Sequence, residues 1–144
     1  KCREALDADG IFGVEMFLTK DKEIIVNEIA PRPHNSGHYT IEGCMTSQYE
    51  QFLRAVLNMP LGSTKLLFPS AMVNILGEPG YSGEVFVEGL EEVMKIEGAY
   101  VHLYGKRETK PSRKMGHITV IADSSEEALR RANIAKNILK IIAK

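Results

Sequence analysis

Near its start the chain carries two short β-rich runs, Phe12-Gly13-Val14-Glu15-Met16-Phe17-Leu18 and Ile24-Ile25-Val26-Asn27-Glu28-Ile29, with only Thr19-Lys20-Asp21-Lys22-Glu23 between them. Strands this close in sequence pair as an antiparallel hairpin. With Asp21-Lys22 as a two-residue loop, the commonest kind, Lys20 faces Glu23, and counting inward puts Glu15 directly opposite Glu28. Like charges directly opposite on a sheet cost stability unless a cation lies between them. Oxygen-only ligands suit Mg²⁺, which keeps several waters and shares phosphate oxygens. Asn27 sets a neutral amide beside the pair, as a carbonyl ligand or to orient a phosphate. Isolated glutamates on a solvated strand face give the same pattern, so the residues alone leave both readings open.

The chain then runs through Pro31-Arg32-Pro33-His34-Asn35-Ser36-Gly37-His38, where two prolines and a glycine forbid a regular helix. Arg32 offers a planar donor fork suited to carboxylate, bicarbonate or phosphate. His34, Asn35 and Ser36 add further polar groups, and Gly37 admits a close backbone approach to a ligand. The composition fits an oxyanion site and equally a polar surface turn. A zinc site at His34 or His38 has no third ligand at suitable spacing.

A helix is expected next. Ser47 and Glu50 form a capping box, Tyr49, Phe52, Leu53, Val56 and Leu57 recur on one face, and Asn58 and Pro60 stop it. Residues 61–69 read as a linker, dividing the chain into lobes 1–62 and 63–144. In the second lobe, residues 71–76, 100–104 and 117–121 read as strands, 77–83 as a glycine-rich loop and 90–95 as a short helix. Residues 104–114 carry five cations, Lys106, Arg107, Lys110, Arg113 and Lys114. Such a run is a phosphate grip or a solvated charged loop. The last helix opens on Ser124 with Glu127 as box partner, and its stripe runs through Ala128, Ala132, Ala135, Leu139 and Ile142. The expected fold is α/β in the α+β sense: an antiparallel sheet in the first lobe and a small β-rich lobe closed by the terminal helix.

Bulk properties narrow the function classes. A net charge of −1 and only one aromatic beside the basic run argue against nucleic-acid binding. No apolar stretch approaches the roughly 20 residues of a membrane span. Cys2 and Cys44 lie in no metal-binding spacing and read as free thiols in a reducing, cytoplasmic compartment. The start at Lys1, without Met and close to a strand, is expected of a piece of a larger protein.

Taken together, Gly13-Val14-Glu15-Met16-Phe17 and Asn27-Glu28-Ile29-Ala30-Pro31-Arg32-Pro33-His34-Asn35-Ser36-Gly37-His38 resemble the carboxylate strands and active-site loop of the 5-(carboxyamino)imidazole ribonucleotide synthases, ATP-grasp ligases of purine biosynthesis. Thr46-Ser47-Gln48-Tyr49-Glu50-Gln51, Leu53-Arg54-Ala55, Met72-Val73-Asn74-Ile75-Leu76-Gly77 and Arg113-Lys114-Met115-Gly116-His117 extend the likeness over nearly the whole chain. The resemblance implies the C-terminal part of an ATP-grasp domain followed by a C-terminal lobe. It implies ATP-dependent phosphorylation of bicarbonate and carboxylation of aminoimidazole ribonucleotide. By position, Glu15 and Glu28 would hold Mg²⁺ at the ATP phosphates, supported by Asn27. Arg32, His34 and Asn35 would bind bicarbonate and carboxyphosphate. Lys106 and Arg113, with Lys114 nearby, would hold the ribonucleotide 5′-phosphate. N-terminal domains of the same polypeptide would complete the ATP site, leaving this segment inactive alone.

Two departures stand out. The family's usual Arg-Pro-Gly-Arg-Lys is here Lys110-Pro111-Ser112-Arg113-Lys114, and Lys22 follows Asp21 where glycine is common. Two other readings stay open: an ATP-grasp carboxylase or formyl-phosphate ligase with another acceptor, and a non-catalytic module dimerising through its two apolar-faced helices, as a two-fold homodimer.

Overall fold

A computed structural model describes residues 2–144, with side chains from Glu4 onward; the thiol of Cys2 lies outside the described residues. The chain divides into two compact units, Lys1–Leu67 and Phe68–Lys144.

The first unit holds α1 (Cys2–Leu6), the hairpin β1 (Gly13–Leu18) and β2 (Ile24–Ala30), a 3₁₀ turn Asn35–Gly37, the single-turn α2 (Thr40–Gly43) and α3 (Gln48–Val56). The hairpin register brings Glu15 opposite Glu28, as expected, but by a different route. The loop has three residues, with Thr19 N–H donating to Glu23 O at 2.9 Å and Lys22 N–H to Thr19 O at 3.1 Å. Lys22 sits at φ +63°, the left-handed position that ends such loops. Leu18 therefore pairs with Ile24 and Met16 with Val26, one residue out of the expected register. A bulge between Glu15 and Met16 takes up one extra residue of β2, Asn27, and restores the Glu15–Glu28 pairing.

Ser47 caps α3, its Oγ accepting from Glu50 N–H at 3.2 Å. The Glu50 carboxylate does not close the box; it turns along the helix to Arg54, at 2.7 Å. The helix stops in a Schellman pattern, Met59 N–H to Arg54 O at 2.8 Å and Asn58 N–H to Ala55 O at 3.3 Å, with Asn58 at φ +53°. Its apolar stripe faces outward: Tyr49, Leu53, Val56 and Leu57 are exposed, and the buried residues are Gln48 and Gln51. Met16, Phe17, Leu18, Ile24, Ile25 and Val26 of the hairpin are exposed as well. Residues 65–67 belong to this unit, held by Met45 N–H to Lys65 O (2.9 Å) and Leu67 N–H to Gly43 O (2.7 Å).

The second unit holds β3 (Ser70–Leu76), β4 (Gly83–Glu88), α4 (Leu90–Met94), β5 (Ala99–Leu103), β6 (Glu108–Thr109), β7 (Lys114–Ile121), α5 (Ser125–Ile138) and β8 (Lys140–Ala143). Two antiparallel sheets form, in orders β3-β7-β5 and β6-β4-β8. The central β7 is buried almost end to end, the mark of a strand covered on both faces. Ile75, Val93, Met115, Ile118, Val120, Ala132, Ala135, Leu139 and Ile141 form the core. Ala128, Ala132 and Ala135 are fully buried, so the alanine stripe of α5 packs on its own unit, while Leu129 and Ile134 of the same helix are exposed. The stripe also ends earlier than expected: Ile142 lies in β8, paired with Phe86 of β4. β4 and β8 had no counterpart among the expected elements.

Candidate functional site

The hairpin bulge decides the geometry of the first unit's site. Two residues of a bulged strand face one on its partner, and here Asn27 and Glu28 face Glu15. Asn27 Nδ2 stands 3.5 Å from Glu15 Oε2, a weak contact that nevertheless shows the two side chains converging. The other oxygen, Oε1, faces His34 Nε2 at 3.4 Å. The backbone N–H of Ser36 donates to His34 Nδ1 at 3.4 Å, and Ser36 Oγ lies 2.8 Å from the same nitrogen. A backbone N–H can only donate, so Nδ1 accepts and the neutral ring carries its hydrogen on Nε2, toward Glu15. Glu15 and Glu28 are both exposed.

His34 reaches Glu15 because residue 13 is glycine. A Cβ there would stand 2.7 Å from His34 Cβ and 2.8 Å from His34 Cγ. The loop is held from the other side by Gln48. Its Oε1 accepts from His34 N–H and its Nε2 donates to His34 O, both at 2.8 Å; Nε2 also lies 2.9 Å from His38 Nδ1. Tyr49 Oη reaches the same His38 nitrogen at 3.0 Å. Gly37, expected to admit a ligand, instead makes room for Gln48: a Cβ would stand 2.5 Å from Gln48 Oε1. Arg32 is exposed and gives one donor to Pro33 O at 3.1 Å, which leaves most of its fork for an anion. Asn35 begins the 3₁₀ turn, one residue past His34.

Among the described residues no group of three or more His, Cys, Asp or Glu forms a metal cage. Two exposed carboxylates on paired strands are still a fitting set for Mg²⁺, which takes few protein ligands and completes its shell with water and phosphate oxygens.

The basic residues form a separate group in the second unit. Lys106 Nζ donates to Lys114 O at 2.6 Å and lies 5.9 Å from the centre of the Tyr104 ring. Tyr104 Oη in turn lies 3.1 Å from His117 Nδ1. Arg113 Nη1 donates to Glu108 O at 2.8 Å. Lys110-Pro111-Ser112-Arg113 is a type II turn, closed by Arg113 N–H to Lys110 O at 3.0 Å, with Ser112 at φ +62°. The family's glycine would suit that position without strain. Lys106 lines a cleft of about 560 Å³ with Arg107, Glu84, Val85 and Glu108; Arg113 and Lys114 are not among its walls. The loop thus brings Lys106 to the Lys114 backbone but does not gather the three cations around one cleft.

Sequence reasoning overlooked Gln48 as a member of the site. The available signal was its place, with Gln51, on the polar face of a helix whose other face is apolar.

Comparison with known proteins gives two family matches and a set of similar sequences and structures. Residues 1–49 match the ATP-grasp domain family and residues 70–131 the phosphoribosylaminoimidazole carboxylase C-terminal domain family. The chain is 49% identical over 137 residues to the N5-carboxyaminoimidazole ribonucleotide synthase of Aquifex aeolicus, aligning 95% of this chain and 36% of that protein. It is 52% identical over 128 residues to the Bacillus subtilis synthase, 88% of this chain and 32% of the relative. It superposes on the crystal structure of the Thermotoga maritima synthetase with a TM-score of 0.94 and 62% identity, covering 99% of this chain and 40% of that one. An Aspergillus clavatus synthase crystallised with ADP and 5-aminoimidazole ribonucleotide superposes at 0.81 with 42% identity, covering 95% of this chain and 38% of that one. The chain thus spans about a third of the length of the curated relatives it matches. Both family matches and the superpositions agree: an ATP-grasp match is followed by a phosphoribosylaminoimidazole carboxylase C-terminal match, and over nearly its whole length the chain is similar to part of the N5-carboxyaminoimidazole ribonucleotide synthases.

Proposed function

We propose that this chain is the C-terminal part of an ATP-dependent synthase that carboxylates 5-aminoimidazole ribonucleotide on its exocyclic amine. The observation that carries the reading is the Glu15–Glu28 pair, set across a bulged hairpin with His34 and Asn27 turned onto Glu15. In the proposed reaction a bicarbonate oxygen attacks the γ-phosphorus of ATP, giving carboxyphosphate and ADP. The exocyclic amine then bonds to the carboxyl carbon, directly or after CO₂ is released, and inorganic phosphate leaves. Mg²⁺ held by Glu15 and Glu28 would supply charge neutralisation on the transferring phosphoryl group. Arg32 would clamp bicarbonate with its fork and Asn35 would donate to the oxyanion, while His34, its Nε2–H held toward Glu15, would border the bound anion. Asn27, its amide nitrogen toward Glu15, keeps its carbonyl for the same site. Lys106, Arg113 and Lys114 would hold the ribonucleotide 5′-phosphate. Lys106 and Arg113 each spend one donor on a backbone carbonyl and retain the rest.

The relatives' greater length and the exposed apolar faces of β1, β2 and α3 support further domains of the same polypeptide, which would cover those faces and bind the nucleotide. This segment alone is then expected to be inactive. A homodimer and a cytoplasmic location complete the proposal. Among the described residues no helix is long and apolar enough to cross a membrane.

The test is phosphate release by the full-length protein with ATP, Mg²⁺ and bicarbonate, with and without the ribonucleotide. Release that rises with the ribonucleotide and falls in Glu28→Gln and Arg113→Ala supports the reading. Indifference to the ribonucleotide would keep the ATP-grasp site and point to another acceptor.

A further inference from the structure

We infer that Gln48 is the positioning residue of the anion loop, setting where the His34 side chain stands against Glu15; this rests on the reading of that loop as a bicarbonate site. Gln48 is 8% exposed, and its amide closes a two-point clamp on one residue's backbone, the His34 N–H and the His34 C=O, each at 2.8 Å. The partners fix the amide's orientation, because an N–H only donates and a C=O only accepts. The same Nε2 reaches His38 Nδ1 at 2.9 Å, so one side chain pins both ends of the loop His34–His38. Gln48 is itself anchored. Its N–H donates to Thr40 Oγ1 at 2.9 Å, and Thr40 Oγ1 donates to Gly37 O at 2.6 Å, returning to the same loop. Gly37 leaves the space that the amide fills. With its backbone held by Gln48 and its ring pressed against Gly13, His34 has little freedom except the orientation facing Glu15.

Gln51, one turn along α3, supplies an internal comparison. It makes the same two-point clamp on Gly62, Nε2 to Gly62 O at 2.7 Å and Gly62 N–H to Oε1 at 2.9 Å, and it is equally buried. Its clamp touches no residue of the anion loop. Loss of either amide removes similar hydrogen bonds, and only the loss at 48 releases His34.

The test uses the full-length protein and compares Gln48→Met, Gln48→Glu, Gln51→Met and His34→Ala by thermal melting, ATP affinity, and the KM for bicarbonate in ATP-dependent phosphate release. A displacement near 1 Å costs up to about 100-fold at a reacting centre. The inference predicts a bicarbonate KM raised roughly 10- to 100-fold in Gln48→Met, with ATP affinity unchanged and a melting temperature close to that of Gln51→Met. Gln48→Glu keeps the acceptor for His34 N–H and loses both donors, so it gives an intermediate KM and a second reading if the Met variant does not fold. Equal bicarbonate KM in Gln48→Met and Gln51→Met, or a normal one in Gln48→Glu, overturns the role. A normal bicarbonate KM in His34→Ala overturns the bicarbonate reading of the loop itself, and the inference with it.

Discussion

Replacing Gly13 with alanine places a methyl group against the imidazole that faces the carboxylate pair. The added Cβ would stand 2.7 Å from His34 Cβ and 2.8 Å from His34 Cγ. Carbon atoms settle at roughly 3.5–4.0 Å, so the contact must open by about 1 Å. The imidazole cannot swing aside freely, because the His34 backbone is held by Gln48 and Nδ1 by Ser36. The strain therefore falls on the β1–loop contact. Overpacking of this kind costs about 1–3 kcal/mol, and a 1 Å shift of His34 carries a rate penalty of up to about 100-fold. Urea denaturation of the full-length protein reads the first quantity, and bicarbonate-dependent phosphate release the second. A loss under about 0.5 kcal/mol, the range of a neutral surface change, with unaltered bicarbonate dependence would show that His34 is not held against β1 and would refute the constraint that Gly13 places on the imidazole.

Ser112→Gly and Lys22→Gly each relieve a left-handed residue, at φ +62° and +63°, and are expected to gain about 1 kcal/mol in denaturant unfolding; a loss in either would contradict the turn assignments. Ser47→Ala and Ser124→Ala remove the caps on α3 and α5, whose Oγ atoms accept at 3.2 and 3.1 Å. Each should cost about 1 kcal/mol by the same measurement. Hydrogen bonds from Arg130 and then Arg131 hold the Glu127 carboxyl down at about 2, against an ordinary 4.5. A carboxylate depressed on folding stabilises above its unfolded value and loses that contribution as pH falls through its folded one. The melting-temperature gap between the parent and Glu127→Gln should therefore be full above pH 4.5 and close as pH drops toward 2; a gap constant over that window contradicts the pairing.

The carboxylate pairing was legible in the sequence, though two offsetting departures produced it. A three-residue loop moves the strands one register from the two-residue expectation, and the Asn27 bulge moves them back at Glu15. Lys22 obscured the loop, since a lysine gives no sign that its position is left-handed. Bulges have little local signature, yet this one turns Asn27 toward Glu15. The caps at Ser47 and Ser124 were readable because they depend on local chemistry, and so was the stop at Asn58. The end of α5 was not: Leu139 and Ile142 keep helical spacing, while residues 140–143 pair with β4. Short apolar runs carry both periods, and only the tertiary partner decides. The role of Gln48 was hidden for a related reason, because burial of a polar helix face depends on what lies opposite it.

In the proposed function the Glu15–Glu28 hairpin and the His34 loop serve phosphoryl transfer from ATP to bicarbonate. The most direct measurement is the fate of bicarbonate oxygen in the full-length protein turning over with ¹⁸O-labelled bicarbonate, ATP and 5-aminoimidazole ribonucleotide. Attack by a bicarbonate oxygen on phosphorus requires that oxygen to leave with inorganic phosphate, so the account predicts one labelled oxygen in the phosphate of each turnover. Phosphate that carries no label while carboxylated product accumulates would contradict it.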